Sequence, residues 1–392
     1  MNKATKARGT KLFCAITSVV VSFAICPLQA FAASELWIDD GSGTSAQYTK
    51  AANGVGSGGG TWDWDGGDAL ELDSYQGSAI YAKGDLDIDL SGDNVVTDKQ
   101  VGSIDADAIC VEGGDLTIEG DGTLEANSES EEGWSSGIYA IDGDVTIDDA
   151  TVVVNASSSG YNADGISSNG GDVNIVNGAN VTATADAEQW ARGICVYNGD
   201  ANIVDSTVRA SGTSRIADGY NGWGDGIEAY GYETDTSASR VVNVNITNST
   251  VNAEGSNAAI LVHAYGVTGS SINIANSVIK TPSDARVQDV VIDYGEGRLL
   301  YGQTIGTGTE TITDLGSGDY VKSVSISTVD ASPTPVPVAP VLGTMNHAPI
   351  TGDSSNSGLL AVLALMVAGV AFAGAGFSDR RRGAMSAISP TE

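Results

Sequence analysis

The sequence predicts an all-β protein, a right-handed parallel β-helix of about seven rungs, with one transmembrane helix near the C-terminus. Three observations predict this architecture. A phrase rich in Gly, Asn and Asp recurs about every 28 residues, apolar and polar residues alternate within each copy, and a stretch of twenty uncharged residues lies close to the end of the chain. A period of this length is typical of solenoids, in which each repeat buries its apolar residues against its neighbours.

One isoleucine marks each copy of the repeat. The steps between successive copies are 29, 29, 28, 28, 33 and 33 residues, and the isoleucines are Ile80, Ile109, Ile138, Ile166, Ile194, Ile227 and Ile260. Three further apolar columns follow it, from Leu86 to Ile272, from Ile88 to Ile274 and from Leu124 to Ile279. Stacked copies would place like residues ~4.8 Å apart in one shared core. The intervening Asn and Asp residues are interpreted as turn formers.

The ends of the chain divide it into segments. Residues 1–32 carry four basic residues, an apolar run and a small-residue cleavage site, which is typical of a secretory signal peptide. Residues 33–60 are expected to cap the coil, and residues 61–328 to form it. Residues 329–347 contain four prolines and are expected to form an extended linker.

The C-terminal segment 348–392 contains three parts in a fixed order. The apolar residues 358–377 are long enough to span a bilayer, and three arginines follow them, as expected on a cytoplasmic side. A pentapeptide precedes both: Ala348, Pro349, Ile350, Thr351 and Gly352. This order resembles the sorting signal of Gram-positive LPxTG-type surface proteins, with alanine in place of the family's leucine. The resemblance implies that a sortase cleaves after Thr351 and joins it to peptidoglycan; an uncut membrane anchor is the alternative.

The chain is strongly acidic, with a net charge of −32 from 50 acidic and 18 basic residues. Such a surface repels nucleic acid and anionic lipid, so nucleic-acid binding is not expected. Carboxylates can bind Ca²⁺, but no ligand motif is present and no metal ligand is assigned. Cys110 and Cys195 fall in one column three rungs apart, roughly 14 Å, too far for a disulfide. They are expected to be unpaired thiols on the sheet surface.

An aromatic row lies four or five residues before the repeated isoleucine and consists of Tyr75, Trp134, Tyr161, Trp190 and Trp223. The insertion Ser211–Arg240 adds three tyrosines beside Trp223. Exposed rings of this kind bind sugar faces, whereas rings that stack on each other only hold the corners together. The predicted carbohydrate-binding residues are Trp190, Tyr220, Trp223, Tyr230 and Tyr232.

Arg192 is the only catalytic candidate. It lies between Asp164 and Asp225 in the column two residues before the isoleucine, on three consecutive rungs. Pectate-lyase-like β-helices combine acidic residues, calcium and an arginine base. The similarity here is limited to the types of residue present. A salt bridge between neighbouring rungs explains the same residues, so no catalytic residue is predicted.

The rung sequences "DGISSNGGDVNI" and "SGIYAIDGDVTI" resemble a group of Gram-positive secreted β-helix proteins that bind carbohydrate and are related to pectate lyases. The resemblance covers residues 61–283. It implies calcium-assisted binding of acidic or cellulosic polysaccharides, and it transfers no ligand residue. The resulting hypothesis is a secreted, cell-wall-anchored carbohydrate-binding protein or adhesin that is not an enzyme. A polysaccharide lyase and a passive structural surface protein are the alternatives.

Overall fold

The structure is a computed structural model that describes residues 32–216, 222–232, 239–293, 299–313 and 320–329. Within these ranges all 29 elements of regular secondary structure are β-strands. The stretches described here include no helix of the length and apolarity that a bilayer crossing requires. The predicted linker from residue 330 onward, the sorting pentapeptide and the predicted transmembrane helix lie outside the described residues, as does the predicted signal peptide up to residue 31.

Five strands close the N-terminal end of the coil: β1 (Glu35–Asp39), β2 (Ser45–Tyr48), β3 (Ala52–Gly56), β4 (Gly59–Trp64) and β5 (Ala69–Ser78). β1 pairs with β2 and, on its other side, antiparallel with the first strand of the coil. β3, β4 and β5 form an antiparallel meander, and β5 then runs parallel to the strands of the next turn. Antiparallel pairing therefore reaches past residue 60, the predicted limit of the cap.

Three parallel ladders form the coil. The first ladder has one strand per turn: β6 (Ile80–Lys83), β9 (Ala106–Glu112), β12 (Ser135–Ile141), β15 (Ala163–Asn169), β18 (Ala191–Tyr197), β21 (Gly224–Gly231) and β24 (Ala258–Tyr265). The second ladder consists of β7 (Leu86–Ser91), β10 (Leu116–Glu119), β13 (Val145–Asp148), β16 (Val173–Val176), β19 (Ala201–Val204), β22 (Asn243–Thr247) and β25 (Ser271–Ala275). The third ladder consists of β8 (Asp93–Gln100), β11 (Thr123–Ser130), β14 (Thr151–Ser158), β17 (Asn180–Ala187), β20 (Thr207–Ser214) and β23 (Thr250–Gly255).

This pairing confirms an all-β parallel solenoid, with about six turns. The right hand of the coil stays a prediction. Each strand pairs with its counterpart one turn earlier and one turn later, so Ile166 lies opposite both Ile138 and Ile194. The seven repeated isoleucines are at most 1% exposed, and they belong to one apolar cluster that runs from the N-terminal strands to β29 (Ser323–Thr328).

The C-terminal end is closed by antiparallel strands. β28 (Leu299–Gly306) pairs with β24 and with β27 (Arg286–Asp293), while β29 lies between β23 and β26 (Ser277–Thr281). This insertion corrects one predicted contact: Ile279 does not stack on Val251, because Ile326 lies opposite both of them. The inserted strand supplies the partners that an open end of the coil would lack.

The turns explain why Asn and Asp recur. Asn177, Asn198 and Asn248 have positive φ angles of 59°, 59° and 48°, a conformation that Asn and Asp tolerate better than other side chains. A second set of aspartates forms a ladder in which each carboxylate accepts the backbone N–H of the equivalent residue one turn later, at 2.7–2.9 Å. Its members are Asp85, Asp115, Asp144, Asp172 and Asp200.

Candidate functional site

Four ionisable side chains on adjacent strands of the first ladder form a continuous row, called here the ion cluster: Asp164, Arg192, Glu228 and His263. Arg192 Nε donates to Asp164 Oδ1 at 2.7 Å, and Arg192 Nη1 donates to Glu228 Oε2 at 3.3 Å. The other oxygen of Glu228 lies 2.8 Å from His263 Nε2. No member is more than 3% exposed. The row crosses four turns on the face opposite the isoleucine core.

The charges of Arg192 and Glu228 stabilise one another, whereas burial raises the pKa of Asp164 despite its bond to Arg192. Burial opposes the charge of Arg192, but the carboxylates of Asp164 and Glu228 outweigh it and raise the pKa of the guanidinium above its usual range. Burial likewise disfavours the charged form of Glu228, but the hydrogen bond from His263 and the charge of Arg192 lower its pKa. Arg192 and Glu228 are therefore an ion pair at neutral pH.

Aromatic rings enclose the guanidinium of Arg192. Its central carbon lies 5.5 Å from the ring centroid of Trp190, 5.8 Å from that of Trp134 and 5.3 Å from that of Tyr197. These distances fall within the range of cation–π contacts. The rings and carboxylates together surround the guanidinium, which explains how a charged side chain on the outer side of a sheet is excluded from solvent.

This geometry favours the salt-bridge interpretation of Arg192. The predicted partner on one side, Asp164, is confirmed by the structure, but the partner on the other side is Glu228 rather than Asp225. Asp225 instead accepts hydrogen bonds from the backbone N–H of Ala258 and the amide of Asn257, both at 3.0 Å. Burial and the charge of Glu228 raise the pKa of Asp225 to about 8. A general base must reach a substrate proton, and a buried, doubly paired guanidinium is badly placed to do so.

Of the predicted carbohydrate-binding residues that the structure describes, Trp190 is the most open to solvent. It is 38% exposed, and Tyr161, one turn earlier in the same row, is 40% exposed. Tyr161 also makes an edge-to-face contact with Trp134, at a centroid distance of 6.1 Å. The row thus combines the two predicted roles, because Trp134 and Tyr161 contact each other while Tyr161 and Trp190 remain open to solvent. Tyr75, by contrast, is fully buried in the core.

Two of the other predicted residues, Trp223 and Tyr230, pack against His263 instead. Trp223 and Tyr230 are partly buried, with ring centroids 6.0 Å and 4.7 Å from that of His263. The hydroxyl of Tyr232 donates to Asn169 Oδ1 at 3.0 Å. These rings cover the end of the ion cluster rather than forming an open platform. Tyr220 lies outside the described residues.

The structure confirms that Cys110 and Cys195 are free, but it corrects their position. They were predicted on the sheet surface, whereas they are 5% and 0% exposed. Cys195 lies beneath the ion cluster, with its Sγ 3.8 Å from Glu228 Oε2. Burial raises the pKa of both thiols well above the usual range, so neither is an activated nucleophile.

Sequence reasoning missed Glu228 and His263. The available signal was the outward column of each rung: Glu228 directly follows Ile227, and His263 lies three residues after Ile260. Glu228 lies in the column of Cys110 and Cys195, not in the column of Arg192. A side chain as long as arginine reaches residues in the next column, so the row crosses columns as well as strands.

Comparisons and metal chemistry add no further assignment. Over the ranges that the structure describes, no group of three or more His, Cys, Asp or Glu residues could hold a metal ion. No protein-family model, curated protein or solved structure matches the chain. The exposed side chains of the solenoid are therefore the remaining source of evidence for a function.

Proposed function

We propose that the protein is a cell-wall-anchored surface protein of a Gram-positive bacterium whose solenoid binds carbohydrate. The observation that carries this proposal is the exposure of Tyr161 and Trp190 on adjacent turns of one corner. Ile104, at the same place two turns before Tyr161, is 57% exposed and extends the apolar row. Aromatic rings held open to solvent are suited to stacking on sugar faces.

The setting of Trp190 supports this role. Its ring lies against the Arg192 guanidinium, which is itself fixed by two carboxylates, so the ring is held in place before a ligand arrives. A preorganised ring loses little conformational entropy on binding. Each aromatic contact contributes on the order of 1 kcal/mol, so a single site binds weakly. Many copies on one cell wall would strengthen attachment through avidity.

Replacing Trp190 by alanine is expected to remove most of the binding of bead-displayed protein to a glycan array. Trp37→Ala is the matched control, because Trp37 also packs beneath a cation, Lys83, at 5.7 Å, but lies at the N-terminal end of the coil. Unfolding midpoints of both variants establish that the fold is retained. Equal binding by the parent and Trp190→Ala would refute the proposed site, and loss of binding on chelation alone would assign it to bound Ca²⁺.

We propose that the protein is attached to the wall through Thr351, because the pentapeptide, the apolar span and the basic tail follow one another in this order. Sortase cleavage needs the Thr351–Gly352 bond, so Thr351→Ala is expected to move the protein from the wall fraction to the membrane fraction. Ile350→Ala, which leaves the cleaved bond intact, is the control. Wall-bound protein that persists at the parental level in Thr351→Ala would contradict covalent anchoring.

A further inference from the structure

We propose that a groove across the third ladder is the cleft in which an uncharged polysaccharide lies parallel to the solenoid axis. The groove crosses β8, β11, β14 and β17 and has a volume of about 330 Å³. This inference rests on the proposed carbohydrate-binding function and names the ligand class and the surface that it occupies.

One outward column of the groove offers neutral hydrogen-bonding groups. Thr97, Asn127, Asn155 and Thr184 lie opposite one another on consecutive turns. Asn155 Nδ2 donates to Asn127 Oδ1 at 2.9 Å, and Asn127 Nδ2 donates to Glu125 Oε1 at 3.0 Å. These bonds fix the orientation of both amides. Fixed amides and hydroxyls match the donors and acceptors of sugar hydroxyl groups.

Each charged side chain that lines the groove already has a partner. Lys99 is paired with Glu129 at 2.8 Å, and Asp186 with Arg215. Asp98 accepts the backbone N–H of Asp107 at 2.9 Å and a hydrogen bond from the amide of a neighbouring glutamine. An acidic ligand would find no free cation here and would be repelled by the net charge of −32. The lining therefore favours a neutral ligand.

The direction of the column sets the direction of the ligand. Four turns separated by ~4.8 Å give a row roughly 14 Å long that runs along the axis. The strands of the groove lead into the corner that carries the aromatic row: β17 ends at Ala187, three residues before Trp190. A polysaccharide in the groove would therefore run beside the exposed rings, so that hydroxyl groups contact the amides while sugar faces are available to the aromatic row.

The test titrates the protein with cellohexaose, mannohexaose and xylohexaose, and with hexagalacturonate as the acidic counterpart. Binding is followed by NMR of the Asn127 and Asn155 side-chain amides and by calorimetry. Asn155→Arg should fill the groove and weaken binding of the preferred neutral hexasaccharide by about tenfold or more, the effect of losing one or two ligand hydrogen bonds. Val153→Arg is the control: Val153 is 37% exposed on the same side of β14, outside the groove lining.

The outcomes separate this inference from the function on which it rests. Shifted amide signals, with binding lost in Asn155→Arg and retained in Val153→Arg, support the groove. Binding that survives in Asn155→Arg but is lost in Trp190→Ala overturns the groove and leaves the carbohydrate-binding function standing. A preference for hexagalacturonate overturns the neutral ligand class. A parent protein that binds neither these sugars nor a glycan array overturns both proposals.

Discussion

Ile175→Asp is expected to unfold the solenoid. Ile175 is fully buried and lies opposite Ile147 and Ile203, so its side chain belongs to the column that two neighbouring turns share. A carboxylate there must be desolvated without a counter-ion or protonated at a cost, and the cavity around it adds to the loss. The total is comparable with the ~5–15 kcal/mol that stabilises a typical domain. The β-sheet circular dichroism signal and the cooperative urea transition should disappear.

The matched control introduces aspartate at the adjacent residue, Asn174. Asn174 points to the opposite side of the strand, and its Oδ1 accepts the amide of Asn202 at 2.9 Å. Asn174→Asp keeps that acceptor, so the change in the free energy of unfolding is expected to stay within about 0.5 kcal/mol. Equal effects at Ile175 and Asn174 would contradict the alternation of core and surface on which the fold depends.

Arg192→Met is expected to lower the free energy of unfolding by about 3–5 kcal/mol at pH 7, because it leaves the buried carboxylate of Asp164 without a counter-ion and that of Glu228 with His263 as its remaining partner. Methionine retains much of the apolar bulk of the arginine stem, so the lost charge dominates. The measurement is urea denaturation of the parent and the variant. A triple variant, Arg192→Met with Asp164→Asn and Glu228→Gln, removes the carboxylates as well and should recover most of the loss.

The pH dependence of the difference in stability identifies its electrostatic origin. In the parent, the pKa of Glu228 is lowered, so its contribution is present above the unfolded value of ~4.3 and is lost as the pH falls. Burial already raises the pKa of Asp164 in the parent, and in Arg192→Met that pKa rises further because the opposing charge of Arg192 is lost, whereas Glu228 keeps its hydrogen bond from His263. The free energy of unfolding of the variant therefore falls further below that of the parent as the pH rises above ~4. The gap should be largest near neutral pH and narrow below about pH 5. A gap that does not change with pH would indicate a packing defect instead.

The repeat in the amino-acid sequence was sufficient to predict the coil. The step of 28 or 29 residues and the alternation around Ile138, Ile166 and Ile194 specify which residues stack, because a slip of one residue would turn every isoleucine out of the core. The observed register pairs these isoleucines with one another. Turn positions were also predictable, because only Asn, Asp and Gly readily adopt the conformation seen at Asn177 and Asn198.

The closure of the C-terminal end of the coil and the contacts on its outer faces could be seen only in the folded chain. β29 begins 42 residues after the end of β26 and lies between β23 and β26, a pairing that periodicity cannot reveal. The ion cluster and the groove depend on how far side chains reach across turns, as Arg192 does when it contacts Glu228. The repeat fixes the spacing of backbones, whereas outward contacts depend on side-chain length, charge and packing at each turn. One period can therefore determine the core while leaving the contacts on the outer faces unspecified.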